Sequence, residues 1–302
     1  MWTLLAFLSA ICLGGYDISK KIALSKYRVA DVLTMSIVIS SIILFVPFIL
    51  SRIHPEMMHQ TPFFVPGLDR QGHLLTLVKS AIVLSSWAFA YVSLKHLPIS
   101  VVSPMQATRP MWTLVGALLI FGERLNGWQW VGVILAIGTV MLYAVSSRHS
   151  AIRHQSSVVG SGEKKYYVCL VLAILIGACS GLYDKYLMRQ YDHNAVQVYY
   201  TFYQAIAMLV YWFTTKPQSA SRMNLLPIAL ISVFLVISDN AYMLALRDPD
   251  SMIAVVSTIR RGGAVIGFAY GLLWLKEKDP RRKIACMVGI LAGLICLAIG
   301  SM

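Results

Sequence analysis

The sequence is poor in charge. Only 13% of its 302 residues are Asp, Glu, Lys or Arg, against 58% hydrophobic, where a soluble chain carries about 25% charged residues. That deficit leaves no room for a soluble domain, and the longest polar insertions are 52–72 and 147–165. No basic stretch precedes the apolar run from Trp2 and no A-x-A pattern follows it, so residues 2–19 predict a retained helix, not a cleaved signal peptide. The net charge of +13 comes with no basic run or helical stripe, which argues against a nucleic-acid partner. There is no CxxC pair. Cys12, Cys169, Cys179, Cys286 and Cys296 all fall inside apolar segments and read as free packing thiols. The histidines lack metal-ligand spacing, and neither H-E-x-x-H nor a nucleophile elbow is present. A membrane-embedded enzyme is therefore disfavoured and no cofactor is expected; a metal gathered by His54, His59 and His73 would reverse that reading.

What the chain has is apolar runs, each long enough to cross a bilayer core of about 30 Å. The pattern predicts ten spans: 2–23, 30–51, 74–95, 99–121, 127–146, 166–188, 196–214, 224–247, 252–275 and 281–301. Weak internal matches recur in the same order. GGYD at 14–17 pairs with GLYD at 181–184, VVS at 101–103 with VVS at 255–257, and VG at 131–132 with VG at 288–289. Glu123 and Glu277 follow the two VVS motifs at similar distances. Five spans per half, an odd number, turn the second half upside down. The expected fold is an all-α membrane protein of ten transmembrane helices arranged as two inverted five-helix repeats. Residues 1–146 form the first repeat, 147–165 the connecting loop and 166–302 the second repeat.

Charge inside such spans costs about 2.5–3.5 kcal/mol per residue at mid-bilayer and marks a candidate site. In 238–263, Asp239 and Arg260 lie at similar depths on either side of a turn near Asp250, with Arg261 and Asn240 beside them. A structural Asp239–Arg260 pair would still leave one guanidinium over. In the first half Trp87 and Gln106 take the corresponding places, and Arg109 lies one turn from Gln106. Pro110 follows directly and removes a backbone donor, which predicts either a packed kink or a discontinuous transport helix. Tyr16 and Asp17, with Lys20 and Lys21 one turn on, are echoed by Tyr183 and Asp184. These positions are either span-ending ion pairs or the lining of two vestibules. Three arginines against one or two acids would attract an anion, because guanidinium offers a planar fork to carboxylate or phosphate. Trp87, Trp112, Tyr199, Tyr200, Tyr203 and Tyr242 are aromatics that could stack on such a ligand or simply pack.

The stretch FGERLNGWQWVGVILAIGTVML (121–142) resembles the end of span four, Gly-Glu turn and small-residue span five of the drug/metabolite transporter superfamily, in its ten-helix EamA type. WLKEKDPRRKIACMVGILAGLICLA (274–298) is the second copy, with Lys276 where that family usually has glycine. Lys20 or Lys21 near the end of span one is also similar. The resemblance covers essentially the whole chain and implies a transporter. Its Gly-Glu glutamates correspond to Glu123 and Glu277, which read as caps for the free N–H groups of the next helix.

The expected function is therefore a secondary transporter that moves a small anionic or zwitterionic metabolite by alternating access about a midplane site. A flippase for a phosphate-bearing lipid carrier is the near alternative. An enzyme or a structural subunit would be a different class. Partners are the small-molecule substrate and the lipid bilayer. The Gly289–Gly293 GxxxG is either an intramolecular seam or a homodimer face. The expected location is a bacterial inner membrane, multi-pass. Lys and Arg favour the side that holds loops 1–2, 3–4, 5–6, 7–8 and 9–10, which places both termini outside the cytoplasm.

Overall fold

The computed structural model describes residues 1–24, 26–96, 108–152, 164–214, 224–263, 265–266, 269–270 and 280–300. Among these there is no strand. The helices in chain order are α1 (Trp2–Leu24), α2 (Val29–Ile53), α3 (Pro55–His59), α4 (Arg70–His96), α5 (Arg109–Ile120), α6 (Gly127–Ile152), α7 (Lys164–Met188), α8 (His193–Thr214), α9 (Leu225–Arg247), α10 (Ile253–Arg261) and α11 (Pro280–Gly300). Most ends fall within a few residues of the expected ones, because an apolar run stops where polar or helix-breaking residues begin. Both ends of the expected 147–165 loop are helical, since α6 runs on to Ile152 and α7 begins at Lys164. The 52–72 insertion contains the short helix α3 and the first turn of α4.

Five of these helices are long and apolar enough to cross a membrane: α1, α2, α4, α7 and α9. Large apolar side chains point outward, Leu119 at 80% exposure and Leu4 at 75%. That surface suits lipid, where exposed apolar area carries no penalty.

The chain divides into two compact units, each drawing on both halves of the sequence. Unit one comprises 1–81 and 185–249, and unit two comprises 82–184 and 250–302.

In unit one, α1 packs along α9. Ser9 and Ser238 join the two helices: each hydroxyl donates to the other's carbonyl, at 2.8 and 2.9 Å. Both are fully buried, and small hydroxylated residues let helix backbones meet while satisfying their own polar atoms. Gly15 lies against the ring of Phe234, where a methyl would come within 2.9 Å of Cζ. Ala23, Val32, Ile228 and Ile231 then form a core that joins α1, α2 and α9.

In unit two, α6 packs along α11. Gly132 and Gly293 meet at the crossing: a methyl on Gly293 would stand 2.8 Å from the Gly132 oxygen and 2.8 Å from the Ala136 nitrogen. Gly289 lies on Thr139. Both glycines of the GxxxG motif are thus packed against α6 within the chain. At the start of α6, Gln129 N–H donates to Asn126 Oδ1 at 2.9 Å and Asn126 N–H to Gln129 Oε1 at 3.0 Å. This reciprocal arrangement is a capping box.

Candidate functional site

The sequence reading has Glu123 capping the next helix, α6. That end is closed by Asn126 and Gln129, and Glu123 caps α10 instead. Its two carboxylate oxygens accept the N–H groups of Ile253 at 2.6 Å and Ala254 at 3.1 Å. A carboxylate here answers both the orphan donors and the positive end of the helix dipole. It thereby fixes α10, a helix of nine residues.

The sequence pattern predicts a continuous span over 252–275. Instead α10 ends at Arg261 after nine residues, a turn follows at Gly262 and Gly263, and helical backbone resumes at 265–266 and 269–270. Beyond it the backbone tightens to i→i+3 hydrogen bonds: Gly262 to Ile259 at 2.8 Å, Gly263 to Arg260 at 3.3 Å, Val265 to Gly262 at 3.0 Å and Ile266 to Gly263 at 3.1 Å. Two adjacent glycines are poor α-helix formers and common points of bending. Gly262 is also close-packed, since a methyl would sit 2.6 Å from Leu294 Cδ1. Arg260 and Arg261 therefore occupy the last turn of a short helix, where its negative dipole end favours cations. Arg260 is half-buried and Arg261 exposed.

Arg109 opens α5 in the same unit. It is half-buried, and its Nη2 donates to the Gly177 carbonyl at 2.6 Å. Gly177 makes room for the guanidinium: a methyl there would come within 2.5 Å of Arg109 Cζ. Nothing in the residue pattern hints at this seat, because a single glycine inside an apolar run looks like any packing glycine. Pro110 is buried at the start of α5, where its missing N–H is harmless. Gln106 and Glu277 lie outside the described residues. Trp87 is half-buried on α4, and Tyr183 is half-buried and Asp184 buried on α7, all in unit two.

The remaining candidates belong to unit one. Tyr16 packs against the core of α1, α2 and α9, with Lys20 Nζ 5.1 Å from its ring centroid. Asp17 is exposed on the same helix. Asn240 uses its amide within the protein, donating to Asn194 Oδ1 and Gln197 Oε1, both at 2.9 Å. Asp239 lines a cleft between α2, α8 and α9. Of the histidines weighed as metal ligands, His73 Nδ1 pairs with the Tyr203 hydroxyl at 2.8 Å and His59 stacks on Phe64.

Comparison with known proteins bears on the first part of the chain. The EamA-like transporter family model matches residues 1–145. Residues 1–145 belong to the EamA-like transporter family. It is a family of membrane transporters within the drug/metabolite transporter superfamily, and its members are transporters, not enzymes. The chain is accordingly an integral, multi-pass membrane protein. A solved crystal structure matches with a TM-score of 0.73 over 99% of this chain and 96% of its own, at 11% identity, which bears on the fold alone. No curated protein matches the sequence.

Two cations near span ends are buried, which their sequence positions do not reveal. Lys185 is only 1% exposed. Its Nζ reaches the carbonyls of Leu246 at 3.3 Å and Asp248 at 3.4 Å, so it caps the C-terminus of α9, as a cation is suited to do. Lys79 is 3% exposed, with its Nζ 4.6 Å from the Tyr200 ring centroid. Distance from a turn does not find either one, because a long side chain goes where its carbonyl or aromatic partner lies.

Proposed function

We propose that the protein is a secondary transporter that moves a small anionic or zwitterionic metabolite by alternating access, in a bacterial inner membrane with both termini outside the cytoplasm. The observation that carries this reading is the break after Arg260 and Arg261. Irregular backbone within a membrane span persists only where protein or a water-filled cavity can satisfy it. Discontinuous helices whose broken ends face the substrate or coupling ion are a common way for transporters to build ligand sites. Here the charge is that of two guanidiniums, and Arg109 adds a third within the same unit. Guanidinium binds carboxylate and phosphate in bidentate fashion and keeps its charge at any physiological pH. Trp87, Tyr183 and Asp184 belong to the same unit and would complete the site. Asp184 would meet the ammonium of a zwitterion. Repeats of five helices in opposite orientation would supply the rocking motion.

The test is uptake and efflux by purified protein in liposomes against a panel of anionic, zwitterionic and cationic metabolites of similar size. Saturable flux confined to the anionic and zwitterionic members supports the reading. Flux of cations alone contradicts it.

A further inference from the structure

Unit one carries an arginine with no acid beside it. Arg52 stands in the last turn of α2 and is exposed. Its Nη2 donates to the Tyr199 hydroxyl at 3.1 Å, and its Cζ lies 5.2 Å from the centroid of the Phe48 ring. Among the described residues no carboxylate forms an ion pair with it. Two acids next to this end of the unit are engaged elsewhere: Asp69 Oδ1 accepts the Gly72 N–H at 2.8 Å, and Asp192 holds Arg247.

The same tyrosine seats a histidine. The Tyr199 and His73 rings meet edge to face with centroids 4.6 Å apart, and His73 Nδ1 pairs with the Tyr203 hydroxyl at 2.8 Å. When that hydroxyl donates, Nε2 of His73 carries the proton and is a donor. It makes no hydrogen bond among the described residues. Helices α2, α4 and α8 thus set a guanidinium and an imidazole on one aromatic frame. An arginine that merely reaches for water needs no such seat. One held by a hydroxyl and a ring face is oriented, and its remaining N–H groups form the fork that fits phosphate.

Depth decides the partner. α2 has 25 residues, about 37 Å of helix, against a hydrocarbon core of about 30 Å. Its last turn therefore lies at the level of the lipid headgroups, where aromatic belts form. The border is apolar. Phe45, Leu50 and Ile53 on α2 are exposed, as is Leu74 beside His73. A water-borne anion gains nothing from that border, whereas acyl chains do.

We propose that Arg52, with His73, binds the phosphodiester of an anionic membrane phospholipid whose acyl chains lie along Phe45, Leu50 and Leu74. With no acid at Arg52 to meet an amine, the site favours a phosphatidylglycerol headgroup over a zwitterionic one. The inference rests on the chain lying in a bilayer and not on the transport reading.

Native mass spectrometry of the delipidated full chain in detergent tests it. The probes are dioleoyl phosphatidylglycerol, dioleoylglycerol, which lacks the phosphate, and inorganic phosphate. The proteins are the parent, Arg52→Gln, Tyr199→Phe and Arg124→Gln, the last an exposed arginine in unit two. The expected result is saturable binding of phosphatidylglycerol, at least tenfold weaker in Arg52→Gln and unchanged in Arg124→Gln. Tyr199→Phe keeps the ring but loses the hydroxyl that aims the guanidinium, so it should weaken binding by a smaller factor. If Arg52→Gln melts below the parent without lipid, Tyr199→Phe alone decides, and parental affinity in it would overturn the proposal. So would any of four other results: no saturable binding; equal loss in the Arg52 and Arg124 variants, which marks diffuse charge; equal affinity for dioleoylglycerol, which marks the apolar surface alone; or displacement by equimolar inorganic phosphate, which makes the ligand a free anion.

Discussion

Glu123 holds the start of α10 through the backbone of Ile253, 2.6 Å from carboxylate to nitrogen. The two residues stand 130 positions apart in the chain. The contact anchors the helix whose far end carries Arg260 and Arg261. A carboxylate cap with two N–H donors is worth about 1–2 kcal/mol. Glu123→Ala should lower thermal stability in detergent by that amount. Glu123→Gln, which keeps one acceptor oxygen, should lose roughly half as much. Equal unfolding temperatures for all three proteins would show the cap to be idle.

The α6–α11 seam yields a contrast between two glycines. Gly293→Ala would force a methyl against the backbone of Gly132 and Ala136, and overpacking of this kind costs about 1–3 kcal/mol. Gly138 sits in α6 in open space, with nothing within 4 Å of where a methyl would stand. Gly138→Ala should therefore be neutral or gain up to about 1 kcal/mol from helix propensity. Parallel thermal melts decide it.

Lys185→Met keeps the bulk of the side chain and removes the ammonium. The Leu246 and Asp248 carbonyls then lose a donor at a buried helix end. The expected loss is about 1–3 kcal/mol, seen as a lower unfolding midpoint. A melt unchanged from that of the parent would place the stabilisation elsewhere.

The loop between α7 and α8 sets a pH dependence. Burial pushes the Asp192 carboxyl up, but the hydrogen bond and charge of His193, the Asn194 N–H and the Arg247 guanidinium outweigh it, so its pKa lies below the usual carboxylate range. The Arg247 contact is 2.6 Å. A depressed carboxyl contributes stability that is fully present above its unfolded pKa of about 3.9 and is lost as pH falls through the folded value. Arg247 is half-exposed, so its part in this is below about 1 kcal/mol. Asp192→Asn should be less stable than the parent at neutral pH, and the difference should shrink as the pH drops below about 4. A gap that stays constant with pH would assign the effect to packing.

Helix positions were legible in the sequence because lipid imposes a plain rule: about twenty apolar residues per span. The same rule hid the break at Gly262, since 252–275 is apolar on both sides of it. The arginines before the glycine pair were visible, but the backbone consequence was not. Partners remote in sequence were also hidden. Composition cannot say that Glu123 reaches Ile253 and not α6, that Arg109 rests on Gly177, or that Lys79 lies on Tyr200. Those choices are made by helix packing, which a single sequence encodes only through small residues such as Gly132 and Gly293.

The central claim is that the guanidiniums at the end of α10 bind the transported molecule. The most direct measurement is the initial rate of flux in liposomes of the best anionic or zwitterionic substrate, for the parent, Arg260→Gln and Arg261→Gln at matched protein incorporation. The account predicts at least a tenfold fall in kcat/KM for one or both variants, corresponding to about 1.4 kcal/mol or more of lost stabilisation. Unchanged rates in both would contradict it.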